Sequence, residues 1–178
     1  MFSGWGIRTL GSSALAYNPV SYHNGSVWPH DNALCVAGLM RYGFVEEAHR
    51  VILGMLDVAS RGGGRLPELF CGLDRTDVPD PVSYPTSCSP QAWAAASPLL
   101  FLRSMLRIEP AVAHNKLWLS PALPDEIGDL AIRNIALGTS RISIEVSKGR
   151  TEVSGLPPEM ELITDPRAPE GVTRSLEG

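Results

Sequence analysis

Two groups of residues in this chain have the types and spacing that chemistry needs. The denser is Tyr22-His23-Asn24-Gly25-Ser26-Val27-Trp28-Pro29-His30-Asp31-Asn32, where aromatic rings stand beside amide, imidazole and carboxylate groups. A pyranose ring presents apolar C–H faces and a fringe of hydroxyls, so this mixture suits a sugar. The other is a single carboxylate, Glu68, in Arg65-Leu66-Pro67-Glu68-Leu69-Phe70. It follows Gly62-Gly63-Gly64, and Pro67 blocks helix continuation, so Glu68 does not sit on a solvated helical face. Apolar Leu66, Leu69 and Phe70 predict a partly desolvated carboxylate at a pocket floor, suited to act as a general base near neutral pH. An ordinary loop glutamate is the alternative. Likewise Trp93 reads as core or site aromatic, and Asp31 as a sugar contact or a first-turn helix charge. His23 and His30 lack a spacing of four and a third ligand, so no metal is expected, nor any other cofactor.

The elements that must position these groups are mostly helical. A first helix is predicted from about Pro29 to Tyr42, with proline in the opening turn, Asp31 at the positive end and Gly43 beyond the last turn. Ala48, Val51, Ile52, Met55, Leu56 and Ala59 share one face of a second, which Gly62-Gly63-Gly64 ends. Ser89 and Pro90 offer a cap and first turn for a third helix reaching about Ile108, apolar nearly all round and therefore buried on most sides, with Pro98 inside it. From Lys116 the pattern changes to strands: Leu117–Leu119, Leu130–Ile132, and Arg141–Val146 alternating at period two, with Lys148-Gly149 as a hairpin turn before Thr151–Val153. The first thirty residues and the stretch from Arg61 to Ser87 read as loops.

Composition narrows the function classes. A chain of 178 residues, 44% hydrophobic, is long enough for a real core. A net charge of -4 without a basic stripe argues against nucleic acid, and no segment reads as membrane-spanning. Three cysteines, Cys35, Cys71 and Cys88, are odd in number and lack metal-type spacing, which points to a reducing compartment. Met1–Gly6 has neither a charged nor an apolar leader region, so the protein is expected in the cytoplasm.

Taken in order, Gly4-Trp5-Gly6-Ile7-Arg8-Thr9, the Tyr22–Asn32 cluster, Leu66-Pro67-Glu68-Leu69 and Ser87-Cys88-Ser89-Pro90-Gln91-Ala92-Trp93 resemble the C-terminal part of the amylo-alpha-1,6-glucosidase (glycogen debranching enzyme) family. The same order is similar to its mannosylglycerate hydrolase-like bacterial relatives. The resemblance covers roughly Phe2 to Leu106. It implies a mainly α fold, a partial (α/α)6 toroid of the six-hairpin glycosidase type over residues 1–110, followed by a small β module over 111–164; the Pro, Glu and Gly-rich composition after about Thr164 predicts a flexible tail over 165–178. It implies inverting hydrolysis of glycosidic bonds, with Glu68 as catalytic base. Trp5, Arg8, Tyr22, His23, Asn24, Trp28, His30, Asp31 and Gln91 would bind substrate, an oligosaccharide or glycoside, and Gln91 and Trp93 belong to the segment supporting the pocket.

The chain departs from that pattern. A closed toroid needs about a dozen helices at typical lengths, and the periodic stretches here supply about three. The general acid of such enzymes belongs to an earlier segment, and Asp57, Asp74, Asp77 and Asp80 read as solvated charges. With Met1 directly before the Phe-Ser-Gly-Trp-Gly motif, the expectation is a terminal fragment that is inactive alone, with apolar faces around Val51, Met55, Leu99 and Met105 left for a missing N-terminal part or for self-association. The alternatives are a catalytically silent sugar-binding or complex-forming remnant, and a sugar phosphorylase on the same fold.

Overall fold

The computed structural model describes residues 1–169, so most of the expected tail over 165–178 lies outside the described residues. The chain divides into two compact units, one of Met1–Met40 with Phe44–Leu102, the other of Arg41–Gly43 with the chain from Arg103.

The first unit is built on three helices, α1 (Pro29–Tyr42), α2 (Val45–Arg61) and α3 (Ala92–Leu106), the ends of α1 and α3 passing into the second unit. Pro29 opens α1 where its missing N–H costs nothing, and Gly43 follows it at φ +86°, a conformation side chains resist. On α2, Ala48, Val51, Ile52, Met55 and Val58 form one buried face, with Glu46 and Glu47 in the first turn and Arg61 in the last. Val51 and Met55, expected to be uncovered, are therefore core. Gly54 shares that face because a Cβ there would come within 2.2 Å of the Trp5 carbonyl oxygen. The buried set of the unit also includes Trp5, Val27, Val36, Leu69, Phe70 and Phe101.

Helix α3 departs from its expectation. It starts at Ala92, where Gln91 Oε1 accepts the Ala92 N–H at 3.1 Å, three residues after the predicted serine cap. Ala94, Ser97 and Phe101 are buried, but Ala92, Trp93, Ala95, Ala96 and Leu99 face solvent. Apolar composition without a clear periodicity does not state which side is covered, and here only one side is.

In the second unit two antiparallel or mixed sheets hold short strands. One has the order β1 (Glu109–Ala111), β2 (Lys116–Trp118), β6 (Glu161–Ile163), with β1 antiparallel and β6 parallel to β2. The other is a meander of β3 (Leu130–Leu137), β4 (Ser140–Ser147) and β5 (Arg150–Ser154). Along β4, Ile142, Ile144 and Val146 are buried while Arg141 and Glu145 are exposed, as period-two alternation requires. Lys148 and Gly149, both at positive φ, form the predicted two-residue turn. Met105 is 5% exposed in this unit, so it too is not the uncovered residue that was expected.

The expected fold class is overturned. Instead of a mainly α partial toroid, the described residues form three helices of 14, 17 and 15 residues and six strands in two sheets. Residues 1–28 and 62–91 contain no helix. Gly62-Gly63-Gly64, Pro67, Pro79, Pro81, Pro85 and Pro90 deny it in the second of these stretches. The positions of α1 and α2 follow from end signals and periodicity; the toroid came only from the resemblance. Among the described residues no helix is long and apolar enough to cross a membrane.

Candidate functional site

Irregular backbone in the first unit brings the chemical groups together. Val27 and Phe70 exchange two backbone hydrogen bonds (2.9 and 3.0 Å), and the Cys71 N–H donates to the Val82 carbonyl at 2.9 Å. The Glu68 N–H donates to the Cys88 carbonyl at 3.0 Å. Ser87 Oγ donates to the Leu69 carbonyl at 3.0 Å and accepts the Leu69 N–H at 3.3 Å. Three segments distant in sequence, around Tyr22–Trp28, Leu66–Cys71 and Val82–Cys88, thus run side by side without forming a regular sheet. Gly72 permits the closest approach: its Cβ would stand 1.7 Å from the Gly25 carbonyl oxygen.

Glu68 is 6% exposed. Its Oε1 accepts the Tyr22 hydroxyl at 2.9 Å and, weakly, Gln91 Nε2 at 3.5 Å, while Oε2 accepts the Cys88 N–H at 3.0 Å. The Cys88 backbone N–H and then the Tyr22 hydroxyl outweigh the desolvation of the carboxylate and hold it below the usual glutamate range. The sequence correctly implies burial but not its consequence, because apolar neighbours predict a raised pKa and the hydrogen-bond donors come from residues 46 and 20 positions away. The same contacts act in reverse on the partners. Hydrogen bonding to Glu68 pushes the Tyr22 phenol up, and the carboxylate charge does so for the Cys88 thiol. The site therefore holds one fixed, ionised carboxylate among neutral donors, able to accept a proton or orient a hydroxyl.

Around it lies a continuous aromatic cluster. The Tyr22 ring meets Trp28 edge-on at 4.8 Å and Tyr84 at 5.6 Å; His23 stacks on Trp28 at 5.4 Å. Trp28 is 4% exposed and its Nε1 donates to the Tyr22 carbonyl (3.1 Å) and Ser26 Oγ (3.0 Å), so it is a buried organiser with little ring face to offer a ligand. His30 lies 5.7 Å from Trp28 and stacks on Trp93 at 4.3 Å with the planes 9° apart. Asp31 is half exposed, and its Oδ1 is 3.1 Å from His30 Nε2.

Of the residues expected to bind substrate, Tyr22, His23, Trp28, His30 and Gln91 join the Glu68 cluster by hydrogen bonds or ring contacts, and Asp31 joins through His30. Asn24 is exposed beside it, its carbonyl accepting the Asn18 N–H. Trp5 and Arg8 belong to a different network. Trp5 is 1% exposed, with the Arg75 guanidinium 4.0 Å from its ring centre. Arg8 is buried and donates to the carbonyls of Gly72 (2.6 Å) and Phe2 (3.1 Å) and to Asp74 (3.1 Å). Sequence reasoning left out Tyr84 and gave Cys88 no role in the site, and it left Trp93 open between core and site aromatic; no local signal marks Tyr84.

Three further carboxylates are engaged elsewhere. Asp57 pairs with Arg61 and Arg75, Asp80 with Arg61, and Asp74 with Arg8. Burial pushes the Asp57 carboxyl up, but the two guanidiniums outweigh it and hold it below the usual range. Among the described residues no group of three or more His, Cys, Asp or Glu side chains could hold a metal ion.

Residues 111–164 match the family model for Glycosyl hydrolase family 65, C-terminal domain. That match takes in strands β2 to β6 of the second unit and links them to a glycoside hydrolase family, and it does not reach the Glu68 cluster. No curated protein matches the chain.

Proposed function

We propose that this chain is the C-terminal part of a glycoside hydrolase of debranching type, in which Glu68 is the base that activates water for inverting cleavage of an α-glucosidic bond. What carries the reading is the Glu68 carboxylate: buried, held by the Tyr22 hydroxyl and the Cys88 N–H, kept ionised and set in an aromatic cluster. The glycosyl hydrolase match over residues 111–164 supports the same class. A base must be deprotonated before it acts, and a pKa below the usual range trades basicity for constant readiness. Inversion also needs a carboxylic acid to protonate the leaving oxygen from the other side of the bond. Asp57, Asp74 and Asp80 are taken up by arginines and Asp77 is exposed, so in this reading the acid comes from a segment outside this chain, or from a second polypeptide. Three unpaired cysteines support a reducing compartment such as the cytoplasm.

The test has two parts. Glu68→Gln in the enzyme completed by its acid-bearing segment should lower turnover at least about a hundredfold while substrate affinity is kept. Near-parental turnover removes Glu68 from the role. The chain alone should release no glucose from malto-oligosaccharides or isomaltose-type linkages; activity there overturns the assignment of a missing acid. Turnover that depends on phosphate would replace hydrolysis by phosphorolysis, and sugar binding without turnover in the completed enzyme would make the chain a silent binding remnant.

A further inference from the structure

Of the four tryptophans, Trp93 is the one that stands out of the fold: Trp5 is 1% and Trp28 4% exposed, Trp118 is half-buried beneath the Arg167 guanidinium, and Trp93 is 49% exposed. An indole left half in water forgoes burial worth roughly 25 cal/mol for each Å² of its apolar surface, so its position calls for an occupant or a reason. Its orientation is fixed from behind. The His30 imidazole lies parallel to it at 4.3 Å and Trp28 meets it edge-on at 6.4 Å, so one face is backed by an imidazole while 49% of the residue stays exposed. His30 is itself positioned, its Nε2 3.1 Å from the Asp31 carboxylate. On the helix the i+3 and i+4 neighbours of the ring are Ala96 and Ser97, too small to shield it.

The ring is also tied to Glu68 by short links. Gln91, two residues before it, reaches the Glu68 carboxylate, and Trp28 contacts both Trp93 and Tyr22, whose hydroxyl bonds Glu68. A half-exposed indole backed by an imidazole, with the Gln91 amide two residues away reaching a buried carboxylate, fits a ring with apolar C–H faces and a hydroxyl fringe better than it fits a purely apolar partner.

We infer that Trp93, backed by His30, is the stacking platform of a sugar subsite next to Glu68, with a pyranose ring on the indole face opposite His30. The inference rests on the reading of Glu68 as part of a glycoside site, and it assigns the stacking contact to Trp93 instead of the buried Trp28. Asp31 then acts through His30, as a positioning residue.

Tryptophan emission of the full chain, titrated with maltoheptaose, tests this without requiring turnover. Because the other tryptophans are buried or covered, a blue shift on binding reports Trp93. Trp93→Ala should lose the shift and weaken maltoheptaose binding by at least about tenfold, as truncating an aromatic anchor does. Trp93→Tyr, which keeps a stacking face, should bind within about threefold of the parent, and His30→Ala should fall between the two. Glu68→Gln should leave the shift intact, separating platform from base. Parental affinity in Trp93→Ala, or a parent that does not bind maltoheptaose, overturns the platform. Neither result touches the Glu68 assignment, which stands or falls on turnover.

Discussion

The Glu68 cluster and the β3–β5 meander are held in place by opposite means. In the meander each strand pairs with the next through an antiparallel ladder, interrupted by one register shift between Ile132 and Ile135, and the alternation of Ile142, Ile144 and Val146 with less buried neighbours sets which face is buried. Pattern and pairing are local, and a two-residue turn at Lys148-Gly149 joins the last two strands. In the Glu68 cluster the backbone is irregular, and its geometry depends on links between segments far apart in the chain, such as Tyr22 to Glu68 and Cys88 to Glu68. Regular structure satisfies its own backbone groups, whereas irregular structure must find partners one at a time. Side chains and carbonyls are thereby presented inward in arrangements that a ladder does not allow, and that is where the chemistry lies.

The contrast can be broken by substitution. The largest effect is expected at Ile144, 1% exposed in the centre of the meander: Ile144→Ala should cost about 2–5 kcal/mol in urea unfolding, the usual range for emptying a core position. A loss within experimental error would mean that the alternation does not hold the sheet. Next comes the same change made in both regions. Gly72→Ala drives a methyl into the Gly25 carbonyl at 1.7 Å, and overpacking of this kind costs roughly 1–3 kcal/mol or more. Gly149→Ala meets nothing within 4 Å and bears only its positive φ, about 1–2 kcal/mol. If thermal denaturation ranks the two the other way round, close approach is not what constrains the site loop.

The smallest effects are in titration. Glu68 has a lowered pKa in the folded chain, so its hydrogen bonds contribute stability that is fully present above the ordinary glutamate value of 4.5 and is lost as pH falls through the lower folded-state value. Glu68→Gln should flatten the pH dependence of stability on that acid side. Tyr22→Phe should move the Glu68 carboxyl back upward, a shift readable by carbon NMR of labelled glutamate. An unchanged titration in Tyr22→Phe would show that the hydroxyl contact does not govern the charge.

These expectations also mark where sequence reasoning reached. Helices α1 and α2 end where proline, glycine and apolar spacing place them, and β4 and its turn follow from alternation, because each signal acts within a few residues. Strands β1 and β6, three residues each, carry no such pattern and exist through pairing with β2. Trp93 shows the limit more sharply. In an apolar stretch its type suggests core, and its exposure depends on which side of α3 the rest of the unit covers.

The candidate site divides in the same way. Sequence alone determined that Glu68 lies outside a helix after Pro67 and that aromatic and polar groups collect between Tyr22 and Asn32, since these are matters of residue type and neighbourhood. Only the tertiary structure decided that Glu68 is held ionised by Tyr22 and Cys88, that Trp5 and Arg8 serve another network, and that Trp93 stays half exposed with the His30 ring behind it. A pKa, an ion pair and an exposed face are properties of what surrounds a group in space, and in this chain those surroundings come from segments that local pattern does not connect.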